Sequence, residues 1–289
     1  MNDYYSINKI KNENTDNTKS QINDYSKLPY EDQTRVKVLR IPPNWTSIRL
    51  SKDPTSKVQV TGHDAKGRKQ YMYHPVWTLF SKDTKYSKVN GINFEKFNSI
   101  IKKLSKKNKK DANNFSKNYI IANMFILMRD LNIRVGNEKY LEENDSVGLC
   151  TLQKIHYIKS PVHKFVFIGK KGVHQEKILE KKHVKFIESI ISLPGNSLFM
   201  YDSNGNYRKV HSEDLNQFLK EYVDSNMSSK DIRTYCANEI FKKEYTRLLS
   251  NGIEAKKARI QATKKTAEEL GNTPKVCRDS YIDPSLYLE

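Results

Sequence analysis

Several basic residues and one tyrosine stand where side chains could act on an anion. Arg134, in Ile133-Arg134-Val135-Gly136-Asn137, lies between apolar neighbours at a helix end beside a glycine, a poor place for an unpaired charge. Either a carboxylate such as Glu138 or Glu142 pairs with it, or it faces an anion in a cleft. Strand-like runs from Lys164 to Ile178 are broken at Gly169-Lys170-Lys171-Gly172, a hairpin pattern that holds two lysines at an exposed tip. Such a tip can enter a groove or simply keep a sheet edge soluble. Farther on, Ser229 can cap a helix that carries Lys230 and Arg233 in its first turn, where cations oppose the helix dipole. An anion bound at that terminus removes the conflict, because free N–H groups and a basic side chain then act on one phosphate. An ordinary surface arginine is the alternative.

The tyrosine is Tyr281, in the stretch from Leu270 to Pro284. Gly271 can stop the helix before it, Thr273 stands where an N-cap belongs, and Pro274 suits the first helical position. A short, separately capped helix then carries Tyr281 about two turns on. By itself such a tyrosine is more often a packing residue than a functional one.

The elements that must position these groups follow from periodicity. The first thirty or so residues, rich in Asn, Asp, Ser and Lys, read as a disordered polar tail, 1–30. A small β-rich unit, 31–80, is expected from an apolar segment at Val36, Val38 and Leu39 and from the alternation of Ile48-Arg49-Leu50 and Val58-Gln59-Val60. From 81 to 289 the pattern is mostly helical. Phe94, Phe97, Ile101 and Leu104 make one stripe, running out into Lys102, Lys103, Lys106, Lys107, Lys109 and Lys110; Ile120, Ile121, Met124, Leu127, Met128 and Leu131 make a broader one that must be core. Leu152 to Ile158 reads as a strand, and later stripes run from Val184 to Ile191 and, capped by Ser212, from Leu215 to Val223. The fold class is α+β.

Charge indicates the partner. Lys and Arg number 51 against 33 Asp and Glu, a formal charge of +18, with aromatics at 10% interleaved along the chain. That excess calls for a polyanion, and nucleic acid is the first candidate. No apolar run approaches the roughly 20 residues that span a bilayer, and the N-terminus does not read as a signal peptide. A soluble intracellular protein without a membrane partner is expected, its thiols at Cys150, Cys236 and Cys277 reduced and mostly buried. In the small unit, a Gly-bounded turn feeds a strand that places Lys69, Tyr71 and Tyr73 on one face. Cations and phenol rings on one sheet face suit phosphates and base edges, though a solvated edge strand would look similar.

Taken in order, Arg134 in Ile-Arg-Val-Gly-Asn, Lys170 in Phe-Ile-Gly-Lys, Arg233 in Lys-Asp-Ile-Arg-Thr-Tyr, Asn272 in Leu-Gly-Asn-Thr-Pro and Tyr281 in Arg-Asp-Ser-Tyr resemble the signatures of type IB DNA topoisomerases. The likeness is to the compact poxvirus-like, bacterial and giant-virus enzymes, and it runs from about Ile41 to Pro284. It implies a monomer whose two domains clamp duplex DNA, a helical catalytic domain with a short sheet, and phosphodiester exchange without cofactor or metal. By the same resemblance, Tyr281 is the nucleophile, Arg134 and Arg233 stabilise the transition state, Lys170 is the general acid and Asn272 binds a phosphate oxygen. Arg68, Lys69, Gln70, Tyr71, Tyr73, Tyr140, Lys171 and Lys230 are the candidate DNA contacts.

This chain departs from the poxvirus pattern in two places. Asn272 stands where the poxvirus and cellular nuclear branches have a histidine, and Lys171 where poxvirus enzymes have an acidic residue. A tyrosine recombinase, the nearest alternative enzyme, would carry His-x-x-Arg around the second arginine, where this chain has Lys230. A catalytically inactive basic DNA-binding protein is the alternative from another class; the filling of all the site positions speaks against it.

Overall fold

A computed structural model of the chain describes residues 3–11, 21–106 and 115–287. The chain divides into two compact units, Met1–Ser87 and Lys88–Glu289. The first contains β1 (Tyr4–Ile7), β2 (Lys9–Lys11), β3 (Gln21–Asn23), α1 (Tyr30–Leu39), β4 (Thr46–Ser51), β5 (Val58–His63) and β6 (Lys69–Tyr73); α2 (Pro75–Gly91) runs out of it. Strands β1, β4, β5 and β6 form, in that order, an antiparallel sheet. Its core gathers Val36, Ile48, Leu50 and Val60, none more than 2% exposed.

Two segments of this unit differ from the sequence reading. Part of the expected polar tail is ordered, with Tyr4–Ile7 paired to β4 and both Ile7 and Leu28 buried. The polar average of the segment hides a period-two pair, Tyr5 and Ile7, that packs on the sheet; residues 12–20 lie outside the described residues. The apolar run at Val36 to Leu39 is the end of helix α1 and not a strand. Glu31 and Asp32 in its first turn and Lys37 in its last suit the helix dipole, so only Val36 need enter the core while Val38 stays exposed.

The second unit is helical around small antiparallel sheets. It holds α3 (Phe94–Leu104), α4 (Lys117–Leu131), α5 (Glu138–Asn144), β7 (Tyr157–Ile158), β8 (Lys164–Ile168), β9 (His174–Ile178) and α6 (Lys181–Ile190), followed by β10 (Met200–Ser203), β11 (Asn206–Lys209), α7 (Ser212–Tyr222), α8 (Ser229–Ser250), α9 (Ala255–Leu270) and α10 (Pro274–Ser280). Helix α4 is its axis: Ile120, Ile121, Met124 and Leu127 are at most 1% exposed, and Phe125 meets Phe97 and Phe218 with ring centroids 5.6 Å away in each case. A second cluster, Phe241, Ala262, Leu270, Cys277 and Ile282, joins α8, α9 and α10. Mixed helix and antiparallel sheet is thus the observed class. Lys107, Lys109 and Lys110 lie outside the described residues.

Here too the strands are not all where periodicity put them. Of Leu152 to Ile158 Tyr157–Ile158 forms a strand, paired with β8, and Gln153 makes an isolated antiparallel bridge to Ser197; Lys154–His156 is a 3-10 turn in which the His156 ring accepts from the Gln153 N–H at 2.9 Å. Hairpin β10–β11 was unanticipated, although Asn204-Gly205 at its tip, both at positive φ, is a strong two-residue turn signal.

Candidate active site

Arg134 leaves the end of α4 on an extended segment that is pinned from one side. Its carbonyl accepts from the Leu149 N–H and that of Val135 from the Cys150 N–H, both at 2.7 Å. Gly136 and Gly148 cross at this point so closely that a Cβ on Gly136 would lie 2.7 Å from the Gly148 Cα. Any side chain at either position would push the Arg134 backbone away. Among the described residues the arginine makes no carboxylate pair: Glu138 binds Lys209, and the Arg134 Nη2 donates to Asn272 Oδ1 at 2.6 Å.

That contact settles the orientation of the Asn272 amide, because a guanidinium can only donate. The Asn272 Nδ2 is therefore a donor, and it is buried without a hydrogen-bond partner among the described residues. A buried orphan donor costs about 1–3 kcal/mol unless something accepts from it. The residue is placed by the turn between α9 and α10, where Gly271 takes the left-handed conformation and Thr273 Oγ1 accepts from the Val276 N–H.

Arg233 corrects the reasoning by which it was first noticed. Helix α8 is capped at Ser228, one residue earlier than expected, with Asp231 accepting from the Ser228 N–H and hydroxyl at 2.7 and 2.8 Å. Arg233 therefore enters the second turn, and its side chain, 6% exposed, turns inward. It donates to the carbonyls of Asn132 and Leu270, at the C-terminal ends of α4 and α9. The partial negative charge of two helix ends, not the positive end of its own, holds it. Burial and then Arg134 pull its pKa down from 12.5 to about 10, which leaves it charged at neutral pH.

Tyr281 caps α10 at its C-terminus, its N–H donating to the Cys277 carbonyl at 2.9 Å. Buried Cys277 and Ile282 fix one side of this turn, and Asn238 Oδ1 accepts from the Asp283 N–H at 2.8 Å on the other. The Arg233 guanidinium carbon is 5.4 Å from the Tyr281 ring centroid. Burial raises the phenol pKa, but Arg233 and Arg134, by charge and by hydrogen bonding, outweigh it and bring the net value below that of free tyrosine. Nearby Tyr287 is the contrast: its hydroxyl lies 2.9 Å from Thr263 Oγ1, and burial moves its pKa up against the lowering effect of that hydrogen bond.

Lys170 opens the 3-10 turn Lys170–Gly172 between β8 and β9, closed by the Gly169 N–H on the Val173 carbonyl at 2.8 Å. It is exposed, yet it lines the same cleft as Arg134 and Arg233. Lys171 shares the turn backbone; its side chain lies outside the described residues. The five positions named from sequence signatures thus meet in one place, from five separate segments. Two neighbours were missed: Gln175, which lines the cleft, and half-buried Lys177, whose ammonium donates to the Glu269 carbonyl at 3.1 Å. Burial, then Arg233, lowers the Lys177 pKa. Both belong to β9, where their period-two spacing was legible.

The remaining candidates lie elsewhere. On β6, Lys69, Tyr71 and Tyr73 do share an exposed face, with Tyr71 and Tyr73 stacked at 6.5 Å and the Lys69 ammonium 5.4 Å from the Tyr71 ring. Arg68 and Gln70 both bind Asp64, at 2.6 and 3.0 Å. Tyr140 on α5 and Lys230 at the start of α8 are exposed.

Two cations, an orphan amide donor and a phenol of lowered pKa around one cleft suit a tetrahedral anion and a nucleophile for it. Comparison with known proteins agrees. The family described as "Eukaryotic DNA topoisomerase I, catalytic core" matches residues 78–283, and "Bacterial DNA topoisomerase IB, N-terminal domain" matches 23–64. A "DNA topoisomerase 1B" of Acanthamoeba polyphaga mimivirus is 34% identical over 87% of this chain and 78% of its own length. The "DNA topoisomerase 1B" of Vaccinia virus (strain Copenhagen) is 28% identical over 84% of this chain and 77% of its own. The chain belongs to the type IB DNA topoisomerases.

Proposed function

We propose that this enzyme relaxes supercoiled duplex DNA by breaking and rejoining one strand through Tyr281. The Tyr281 oxygen attacks a backbone phosphorus, the bond from phosphorus to the 5′ oxygen breaks, and a 3′-phosphotyrosyl link and a free 5′-hydroxyl result. The broken strand swivels, and the hydroxyl reverses the step. One phosphodiester replaces another of similar energy, so ATP has no thermodynamic part to play. Arg134, Arg233 and the Asn272 amide hold the non-bridging oxygens and meet the charge that grows on them. Lys170 gives its proton to the departing 5′ oxygen. The observation that carries this reading is the Tyr281 phenol, half enclosed yet lowered in pKa by two arginines that would also grip the phosphate.

The segment 31–80 serves as the DNA-binding domain and 81–289 as the catalytic domain, together clamping the duplex as a monomer. Lys69, Tyr71 and Tyr73 meet the DNA with their exposed face, with Arg68 and Gln70 held beside them by Asp64. Tyr140, Lys171 and Lys230 add contacts to the phosphate backbone around the cleft.

Leaving-group chemistry tests the role of Lys170. A 5′-bridging sulfur departs as a thiolate without needing a proton. Lys170→Ala should cleave ordinary DNA some 10²- to 10⁴-fold more slowly, as general-acid loss does, and should recover most of that rate on the sulfur-substituted strand. Single-turnover cleavage of the two substrates reads this directly. Sulfur rescue of Lys171→Ala in place of Lys170→Ala would transfer the role to Lys171.

Asn272 allows a second test. A neutral imidazole, like the amide, offers one acceptor for Arg134 and one donor for the phosphate, so Asn272→His should keep cleavage within about tenfold, ~1.4 kcal/mol of barrier. Asn272→Asp retains the acceptor but loses the donor and adds a negative charge. It should cost about 10²-fold or more, and equal rates for the two variants would remove Asn272 from phosphate binding.

A further inference from the structure

We infer that Gln175 is a positioning residue that locks the Lys170 turn against the Gly271-Asn272 turn. The inference rests on the roles proposed above for Lys170 and Asn272. Gln175 lies on β9 and lines the cleft with Arg134, Lys170 and Arg233. Its side chain is flanked by the glycine before each of the two site residues. A Cβ on Gly271 would come within 2.7 Å of the Gln175 Nε2 and 2.8 Å of its Oε1, and a Cβ on Gly169 within 3.1 Å of its Cγ. The head of the amide, Nε2 and Oε1, therefore abuts the bare backbone of Gly271 while its stem lies against Gly169.

Packing and not hydrogen bonding does this, since among the described residues the amide's one hydrogen bond is a 3.4 Å contact from Nε2 to the His174 carbonyl. The geometry answers a mechanical need. Lys170 sits on an exposed hairpin tip, and such tips move unless something holds them. Its ammonium can serve the 5′ oxygen only if the tip keeps its distance from the phosphate that Arg134 and Asn272 hold. Gln175 touches both turns. Without it the tip loses its stop, and the acid reaches the leaving group in fewer encounters.

The experiment is single-turnover cleavage by Gln175→Ala, Gln175→Met, Lys170→Ala and the Gln175→Ala/Lys170→Ala double variant of the full chain, on ordinary and 5′-sulfur-bridged duplexes. Gln175→Ala should slow cleavage of ordinary DNA by about 10- to 100-fold, the scale of a misplaced catalytic group. On the sulfur strand it should return close to wild type, which a general loss of structure would not do. Gln175→Met, similar in length and able to pack on both glycines, should stay within a fewfold of wild type. The double variant should be no slower than Lys170→Ala alone.

Wild-type rate for Gln175→Ala, equal impairment on both strands, or a double variant whose losses multiply would each overturn the inference. If Lys170→Ala itself gains nothing from sulfur, Lys170 is not the acid. Non-multiplying losses then still decide whether Gln175 works through the lysine.

Discussion

Tyr281→Phe should form no covalent complex with DNA while binding the duplex within about threefold of wild type, ~0.6 kcal/mol. The ring and its packing on Cys277 and Ile282 survive, so α10 and the turn after it should stay in place. What is lost is the oxygen that Arg233 and Arg134 poise. Trapping with SDS checks the first part and a gel shift the second. An adduct formed by the phenylalanine variant would mean another nucleophile. Tyr287 is poorly placed for that, because its hydroxyl is engaged by Thr263 and burial raises its pKa.

Arg233→Ala carries the next largest loss. Preorganised donors to a developing oxyanion are worth about 10²–10³ in rate each, and Arg233 also lowers the pKa of the nucleophile. The fall should be at least that large on ordinary and sulfur-bridged DNA alike, because charge at phosphorus must be met whatever group leaves. The Asn132 and Leu270 carbonyls would lose their charged donor, so some stability goes as well, about 1–3 kcal/mol for each group left buried and unpaired. Arg233→Lys separates the two effects. It keeps the charge, but a single ammonium cannot reproduce a planar fork between two carbonyls, so it should remain well below wild type with its melting temperature partly restored. Recovery of full activity by the lysine would reduce Arg233 to a plain point charge.

The same arginines set a pH dependence. Tyr281 has a lowered pKa in the folded protein, so its phenolate is favoured there, and any stability this brings is present above the unfolded pKa and lost as pH falls through the folded one. Where proton loss from the phenol limits cleavage, the rate rises with pH. Arg134→Ala should move that rising limb to higher pH.

Much of the site was legible because its residues carry local signatures. Thr273-Pro274 announced α10, and Gly169 with Gly172 announced the hairpin, since capping and turn chemistry are written in adjacent residues. Arg233 was found for a reason that does not hold: its partners are carbonyls at the ends of α4 and α9, far off in sequence, and no local rule reaches them. The salt bridge weighed for Arg134 failed likewise, since Lys209, from a hairpin not anticipated, takes Glu138. Gln175 was silent because its meaning lies in two glycines that come together only in the fold. In the small unit, averaging over polar residues hid β1, whose contribution is the single buried Ile7 on an edge strand.

The measurement that tests the central claim most directly is relaxation of a supercoiled plasmid in EDTA without ATP. A ladder of topoisomers moving to the relaxed state, from negative and positive supercoils alike, is the expected result. A plasmid that is bound and retarded but keeps its linking number would contradict the account.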